Sequence, residues 1–274
     1  MTTEQVRVSP EWLTLREPAD AAARAPELVS EVRSYLPTDG WVAVHDLGSG
    51  TGSMARWLAV QLPGPQHWVM YDRDEELLAH AAAHPPPAAA DGAPVTVEVR
   101  RRDITRLDPE ETAGAHLVTA SALLDMMTAE ELDRLIATCA GAGCPVLIAL
   151  TVTGDVDLTP VDPFDQSIAD AFNAHQRRAT GGRRLLGPDA IDAAVDGFTR
   201  VGLEVLCRPS PWQLGPGEAA LTSEWLMGWL AAACEQHPEL GAVAPSYARR
   251  RLAEAAEGRL SVTVHHQDLL ARPI

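Results

Sequence analysis

The sequence predicts an α/β fold in which a doubly wound, mostly parallel seven-stranded sheet carries a helical cap and insertions. Two observations support this prediction. From Trp41 onward, short runs rich in β-branched and aromatic residues alternate with alanine-rich runs of helical periodicity, which is typical of parallel βαβ units. The chain has 274 residues, 46% of them apolar, and is long enough to bury a large core in one domain.

The first part of the chain supplies five of the seven strands. A helix is expected before them, because Leu28, Val29, Val32 and Leu36 recur at helical spacing. The predicted strands are WVAVHDL, HWVMYD, VTVEVRR, HLVTASALL and PVLIALTV. Predicted helices lie between them in SMARWLAVQL, EELLAHAAAH and AEELDRLIATCAGAG. The last strand is continuously apolar, as expected of a central strand covered on both faces.

This alternation ends at Val152. Residues 153–184 are polar and predict a lid-like segment with one helix from about Phe164 to Arg178. GPDAIDAAVDGFTRVG predicts a helix, LEVLCRP a sixth strand, and LSVTVHHQDLLARP the seventh. Residues 212–258 predict a helical insertion. The expected single domain therefore has a core of about 37–152 and 185–274, preceded by an N-terminal helical segment, 1–36.

The charge balance limits the class of partner. Lys and Arg number 22 against 38 Asp and Glu, a formal charge of −16, which disfavours nucleic acid and anionic membranes and favours a small-molecule substrate. The chain contains no lysine, so mechanisms that need a Schiff-base lysine are excluded. No metal site is expected, because the four cysteines form no CxxC pair and belong to no nearby set of cysteines and histidines.

The expected location is the cytoplasm. The N-terminus lacks the basic and apolar regions of a secretory signal, and no apolar run approaches the roughly 20 residues that span a bilayer. A monomer or a homodimer is expected.

The stretch VHDLGSGTGSMARWLA predicts a tight backbone turn beside a ligand. Gly48, Gly50 and Gly52 allow positive φ and close approach of the ligand to the backbone. A dinucleotide loop needs GxGxxG, whereas Ser53 occupies the place of the third glycine. Asp46 precedes the loop, where its carboxylate would repel a diphosphate and attract an ammonium or sulfonium group.

DLGSGTG is similar to the D/E-x-G-x-G-x-G signature of class I S-adenosylmethionine-dependent methyltransferases, which have a Rossmann-like fold. The resemblance covers Trp41 to Val152. It implies an enzyme that transfers a methyl group from S-adenosylmethionine to a small molecule and releases S-adenosylhomocysteine. The alternatives are a nicotinamide-dependent oxidoreductase with a similar sheet and a non-catalytic cofactor-binding partner protein.

The resemblance also implies the cofactor site. Asp72 would bind the ribose hydroxyls, and Asp103 and Ile104 would lie at the adenine. The usual acid of the family's fourth motif is replaced by His116. The full predicted cofactor-binding set is Arg16, Asp46, Gly48, Ser49, Gly50, Gly52, Ser53, Asp72, Arg73, Asp103, Ile104 and Ser121. Asp72 and Asp103 could instead be ordinary caps of the following helices.

The acceptor is expected to be methylated on oxygen or nitrogen rather than on carbon, in a site built by the segments outside the core. His175 is the first candidate for the general base because histidine titrates near neutral pH, and Asp125 is the second. The alternatives are that His175 is a histidine on a helix surface with no role, and that Asp125 is an acid at a helix N-terminus. The predicted substrate-binding residues are Phe172, Asn173, His175, Gln176, Trp212, Trp225 and Trp229. For the tryptophans, core packing is the alternative.

Overall fold

The computed structural model describes residues 8–274, so the first seven residues of the predicted N-terminal segment lie outside the described residues. The strands are β1 (Val42–Leu47), β2 (Gln66–Asp72), β3 (Val95–Arg101), β4 (Leu117–Ser121), β5 (Val146–Thr159), β6 (Ala179–Thr180), β7 (Arg183–Arg184), β8 (Glu204–Pro209), β9 (Trp212–Leu214) and β10 (Ser261–Arg272). The helices are α1 (Pro10–Ala23), α2 (Pro26–Arg33), α3 (Ser53–Ala59), α4 (Glu75–Ala83), α5 (Ala129–Ala142), α6 (Asp165–Gln176), α7 (Ala190–Arg200), α8 (Ala219–Gln236) and α9 (Ala244–Ala256).

The main sheet has the strand order β3-β2-β1-β4-β5-β10-β8. Its first five strands are parallel, and β10 runs antiparallel to both β5 and β8. The predicted α/β class and the seven-stranded, mostly parallel sheet are thus confirmed. The short strand β9 joins this sheet beside β10, and β6 and β7 form a separate hairpin.

β5 is longer than the sequence analysis predicted. The segment 153–184 was expected to leave the sheet at Val152, but β5 continues to Thr159 and pairs there with β10. In this extension Val156 and Leu158 alternate with the exposed Asp155 and Asp157, which is the periodicity of a half-buried strand. The helical insertion predicted for 212–258 also begins with a strand, β9, before α8 and α9.

α1 contacts β9, α3 and α8, and α2 contacts β10. Ser9 caps α1 by accepting from the Trp12 amide, and the helix continues through Pro18. It ends before Arg24, whose ψ of 140° is extended. Arg16 and Asp20 therefore share a helical face, whereas Arg24 turns away from it.

Three apolar clusters fill the protein. One cluster packs α5 and α7 on one face of the sheet, and a second packs α2, α3 and α4 on the other. The third lies beyond the sheet core, between the extended ends of β5 and β10 and the helices α6, α8 and α9, and it includes Trp212 and Trp229. This third cluster gives the insertions a core of their own. Within residues 8–274, no helix combines the length and the apolar character that crossing a membrane requires.

Candidate active site

The glycine loop joins β1 to α3 at the carboxyl end of the sheet. Gly48, Gly50 and Gly52 have φ of 68°, 53° and 85°, in the left-handed region where a side chain is strained. A Cβ on Gly48 would lie 2.9 Å from Leu123 Cδ2, and one on Gly50 would lie 3.2 Å from Leu13 Cδ1. The groove over the loop is therefore narrow, and only glycines leave room there for a ligand.

Asp46 lies buried beneath this loop. Its Oδ1 accepts a hydrogen bond from Thr119 Oγ1 at 2.6 Å, but its Oδ2 has no partner among the described residues. Burial raises the pKa of this carboxyl to about 6, although the Thr119 hydrogen bond and the charge of Arg24 oppose the shift. A buried carboxylate oxygen without a donor is costly, so a ligand that brings a cationic donor would satisfy it.

Arg24 lies on the other side of the loop and is 2% exposed. Its Nη2 donates to Ser53 Oγ at 3.2 Å and to Ser121 Oγ at 3.1 Å. Within residues 8–274 no carboxylate forms an ion pair with this guanidinium, and its Nε has no partner. Burial accordingly lowers its pKa. The sequence analysis missed this residue, because only the end of α1 turns it toward the loop.

The predicted cofactor residues fall into two groups. Asp72 Oδ2 accepts from the Gly50 amide at 2.9 Å, so this carboxylate lies directly against the loop. Ile104 is also at the loop, since its Cδ1 would lie 3.6 Å from a Cβ on Gly48. Asp103 and Arg73 are exposed at the rim, and Asp103 caps its own turn by accepting from Thr105. Ser49 is buried within the loop, and its Oγ has no partner among the described residues.

A cavity of about 170 Å³ lies next to this groove. Its walls include five aromatic side chains, Trp12, Phe172, Trp212, Trp225 and Trp229. The rings of Trp225 and Trp229 stack with centroids 5.2 Å apart and an interplanar angle of 19°. The cavity thus has flat apolar walls suited to a planar molecule.

The groove and the cavity meet at the carboxyl end of β4 and at Leu150 in the middle of β5. Ser121, which Arg24 binds, is followed by Ala122, which lines the cavity. Ala122 and Leu150 have positive φ of 52° and 57°, an uncommon backbone conformation for residues with a side chain. Buried Asp268 holds Leu150 in place by accepting from its amide at 2.8 Å. Ala122 and Leu150 both line the cavity, and Ala122 directly follows Ser121 of the groove.

Few polar side chains line the cavity. Gln176 Nε2 lies 3.5 Å from Asp125 Oδ2, and desolvation raises the pKa of Asp125. Arg16 is bound by both oxygens of Asp20, and its guanidinium carbon lies 4.9 Å from the centroid of the Trp212 ring. Arg16 therefore lines the acceptor side, and Arg24 rather than Arg16 reaches the glycine loop.

His266 also lines the cavity, a residue that the sequence analysis did not select. Burial and the charge of Arg16 lower its pKa to about 3, so the ring is neutral near pH 7. The alternation in VTVHHQD was the available signal, because it places His266 on the buried face of β10 while His265, which also lines the cavity, is more exposed.

His175 does not line the cavity. Its Nε2 lies 3.0 Å from Glu235 Oε2 on α8, and its ring also contacts Arg178. Its neighbours on α6, Phe172, Asn173 and Gln176, do line the cavity. Successive residues of a helix point in directions about 100° apart, so His175 can point away from the cavity although the next residue, Gln176, lines it.

Comparisons with known proteins agree with this arrangement. Residues 44–145 match the family model described as a methyltransferase domain, which covers less than half of the chain. The cyclopropane synthase MmaA2 from Mycobacterium tuberculosis has a similar fold, with a TM-score of 0.51 and 12% identity over 97% of this chain and 95% of that one. A SAM-dependent methyltransferase from Geobacter sulfurreducens in complex with S-adenosyl-L-homocysteine matches with a TM-score of 0.44 and 17% identity, over 97% and 99% of the two chains. Among curated proteins, no sequence matches this one.

The chain carries a class I S-adenosylmethionine-dependent methyltransferase domain. It is therefore an enzyme that uses S-adenosylmethionine as its cofactor. These findings favour neither of the alternatives, a nicotinamide-dependent oxidoreductase or a non-catalytic partner protein.

Proposed function

We propose that the protein transfers the methyl group of S-adenosylmethionine to the oxygen or nitrogen of a small planar acceptor bound in the aromatic cavity. The observation that carries this proposal is the pair of unmatched buried charges beside the glycine loop. Among the residues that the structure describes, no donor reaches Asp46 Oδ2 and no carboxylate pairs with the Arg24 guanidinium. The amino acid part of the cofactor carries both complementary groups.

The cofactor residues are assigned to groups of the cofactor with complementary charge or hydrogen-bonding capacity. Asp46 is placed to accept from the ammonium group, and Arg24 with Ser53 and Ser121 to bind the carboxylate. Asp72, at the end of β2, keeps lone pairs for the two ribose hydroxyls. Bound S-adenosylmethionine supplies a methyl group on a positively charged sulfur, which is already activated for displacement. The protein therefore contributes mainly orientation and exclusion of water.

The acceptor side is placed to position the nucleophile and to take its proton. Asp125 lies on the cavity wall three residues beyond Ala122, next to the join with the cofactor groove. Its desolvated carboxylate is a better base than an exposed one, because its pKa is raised. We therefore assign the general base to Asp125 in preference to His175, which faces Glu235.

Replacing Asp72 with alanine should weaken S-adenosylmethionine binding by about 1 to 3 kcal/mol, the cost of losing hydrogen bonds to a charged group. Isothermal titration calorimetry of the two proteins measures the difference. The control is Asp133→Ala, an exposed aspartate on α5 whose recorded partner is Arg200 at 3.5 Å, and its affinity should equal that of the wild type. Equal affinities for all three proteins would remove Asp72 from the site.

Cofactor binding should weaken by roughly tenfold from about pH 7 to about pH 5, because Asp46 titrates at about 6 and binds the cationic cofactor only when ionised. The α-amino group of the ligand stays protonated over this range, since its pKa is about 8. The free protein shows the opposite trend. The pKa of Asp46 is raised from 3.8 to about 6, so the unliganded fold loses stability as the pH rises through that window.

Calorimetric titrations across this pH range provide the measurement. In Asp46→Asn the side chain carries no titratable proton, so the affinity should be low and independent of pH. A wild-type affinity that stays constant down to about pH 5 would contradict the role given to Asp46.

A further inference from the structure

We propose that the acceptor is an amine attached to a single ring, and that the enzyme methylates its nitrogen. This inference rests on the proposed function and adds the chemical class of the acceptor. It follows from an inventory of the hydrogen-bonding atoms around the cavity, together with the cavity's size and charge.

Asn173 provides the first of these atoms. Its Nδ2 donates to the Gly154 carbonyl oxygen at 2.8 Å, and because that oxygen can only accept, the orientation of the amide is fixed. Its Oδ1 is buried and has no donor within the described chain. Gly154 itself is held close, since a Cβ there would lie 3.0 Å from this same oxygen. Asn173 therefore presents an acceptor that the protein leaves unsatisfied.

Gln176 lies one turn further along the same face of α6. Its Nε2 points to the Asp125 carboxylate at 3.5 Å, which leaves Oε1 as a second buried acceptor without a partner in residues 8–274. Asp125 is the third acceptor. Among the fully buried atoms of the cavity wall, the donor without a partner in residues 8–274 is Trp229 Nε1, and Arg16 directs its Nε and Nη2 to Asp20. The neutral His266 ring has one donor and one acceptor, so it leaves this balance unchanged.

The excess of acceptors distinguishes an amine from a hydroxyl. A hydroxyl group has one hydrogen, so it can satisfy one of the three acceptors and leaves the others unmatched at a cost of about 1–3 kcal/mol each. A neutral primary amine has two N–H groups and one lone pair. It can donate to Asp125 and to an amide oxygen of α6 while its lone pair points toward the methyl group.

Size and charge favour the same class. A cavity of 170 Å³ is close to the ~150 Å³ that accommodates benzene in an engineered protein core, so it suits one ring with a short substituent. Asp20 offsets the charge of Arg16, and Asp125 and exposed Asp155 then leave an excess of negative charge at the cavity. A protonated amine is attracted by this excess and by the faces of the aromatic walls, and it releases one proton to solvent before its lone pair reacts.

The proposed step balances as follows. The nitrogen lone pair forms the new C–N bond while the C–S bond breaks. The electron pair of the C–S bond remains on sulfur, which gives the neutral thioether of S-adenosylhomocysteine. The nitrogen becomes a methylated ammonium. One of its protons passes to the Asp125 carboxylate and from there to solvent.

Matched pairs of ring compounds test the inference by binding. Aniline and phenol, and benzylamine and benzyl alcohol, are titrated into the enzyme saturated with S-adenosylhomocysteine, with tryptophan fluorescence as the signal. Each amine should bind at least about tenfold more tightly than its hydroxyl analogue, the effect of one further satisfied hydrogen bond. Equal binding within the pairs, tighter binding of the hydroxyl compounds, or no binding of any amine would overturn the inference.

A variant then locates the contact. Gln176→Met keeps the length of the side chain but removes the amide oxygen, and it should reduce benzylamine affinity by about 10-fold while leaving benzyl alcohol affinity unchanged. The control is Gln166→Met on the exposed side of the same helix, which should bind both as the wild type does. Retained S-adenosylhomocysteine binding shows that each variant is folded. An equal loss for both ligands would contradict an amine-specific contact.

Failure of this inference differs from failure of the proposed function. If the protein binds S-adenosylmethionine and methylates hydroxyl compounds but not their amine analogues, the acceptor class is wrong and the methyltransferase assignment stands. If the protein does not bind S-adenosylmethionine, the proposed function itself fails. Mass spectrometry of the reacted ring compounds distinguishes a methyl group on nitrogen from one on oxygen.

Discussion

Replacing Asp125 with asparagine is expected to lower the turnover number by about 100-fold, the lower end of what a positioned general base contributes. Asparagine has the same shape and can still accept from Gln176 Nε2, but it cannot take the proton that the acceptor must release. The affinity for S-adenosylmethionine should not change, because Asp125 belongs to the acceptor cavity. Steady-state release of S-adenosylhomocysteine and calorimetry measure the two quantities.

The matched control is Asp155→Asn. Asp155 also lines the cavity, but it is exposed and is not the proposed general base. The turnover number of Asp155→Asn should therefore be close to that of the wild type. A full turnover number in Asp125→Asn would show that solvent takes the proton directly. In that case Asp125 would only bind the acceptor, and the loss would appear in its KM.

The second large effect is expected from Asp165→Ala, which should reduce the free energy of unfolding by about 3–5 kcal/mol. Both oxygens of Asp165 accept from Arg251 Nη2, at 2.6 and 2.5 Å, and Arg251 is only 1% exposed. Tyr247 also donates to this carboxylate at 2.7 Å. Removing the carboxylate leaves a buried guanidinium with less compensation, and this is the costly way to break a buried pair.

Urea denaturation of the two proteins measures this loss. The control is Asp189→Ala, which breaks a pair with Arg177 that also has two contacts but is exposed, with side-chain exposures of 37% for Arg177 and 59% for Asp189. Its cost should be about 0–1 kcal/mol, as for other surface ion pairs. Similar losses for both variants would mean that burial does not determine the strength of these pairs.

The glycine loop and Asp46 could be located from the sequence because these residues are close together along the chain, whereas Arg24 comes from the end of α1 and was not selected. Asp46 and the three glycines lie within seven consecutive positions, 46–52, and each glycine is required by local backbone conformation. Asp72 follows from the next strand, since parallel strands end at the same edge of a sheet. Local sequence is sufficient where local geometry forms the site.

The acceptor side was harder to predict because its walls come from distant segments. Trp12, Asn173, Trp229 and His266 come together only when α1, α6, α8 and β10 are packed. The sequence shows that Phe172 and Gln176 share a helical face, but not which face turns inward. The preference for His175 was therefore based on chemistry alone, and packing against Glu235 turned it outward. The polar residues after Val152 similarly suggested that the chain leaves the sheet there, whereas β5 continues to Thr159 because β10 pairs with it.

The long pairing of β5 with β10 has a consequence for how such an enzyme can diversify. Near Leu150 these two strands belong to the main sheet. Beyond Val152 they pack against α6, α8 and the tryptophans of the cavity wall. Mutations in the outer part can reshape the acceptor cavity without moving the glycine loop, which lies on other strands. Selection for a new substrate can therefore act on the outer part of the β5–β10 pair while the methyl donor continues to bind at the glycine loop.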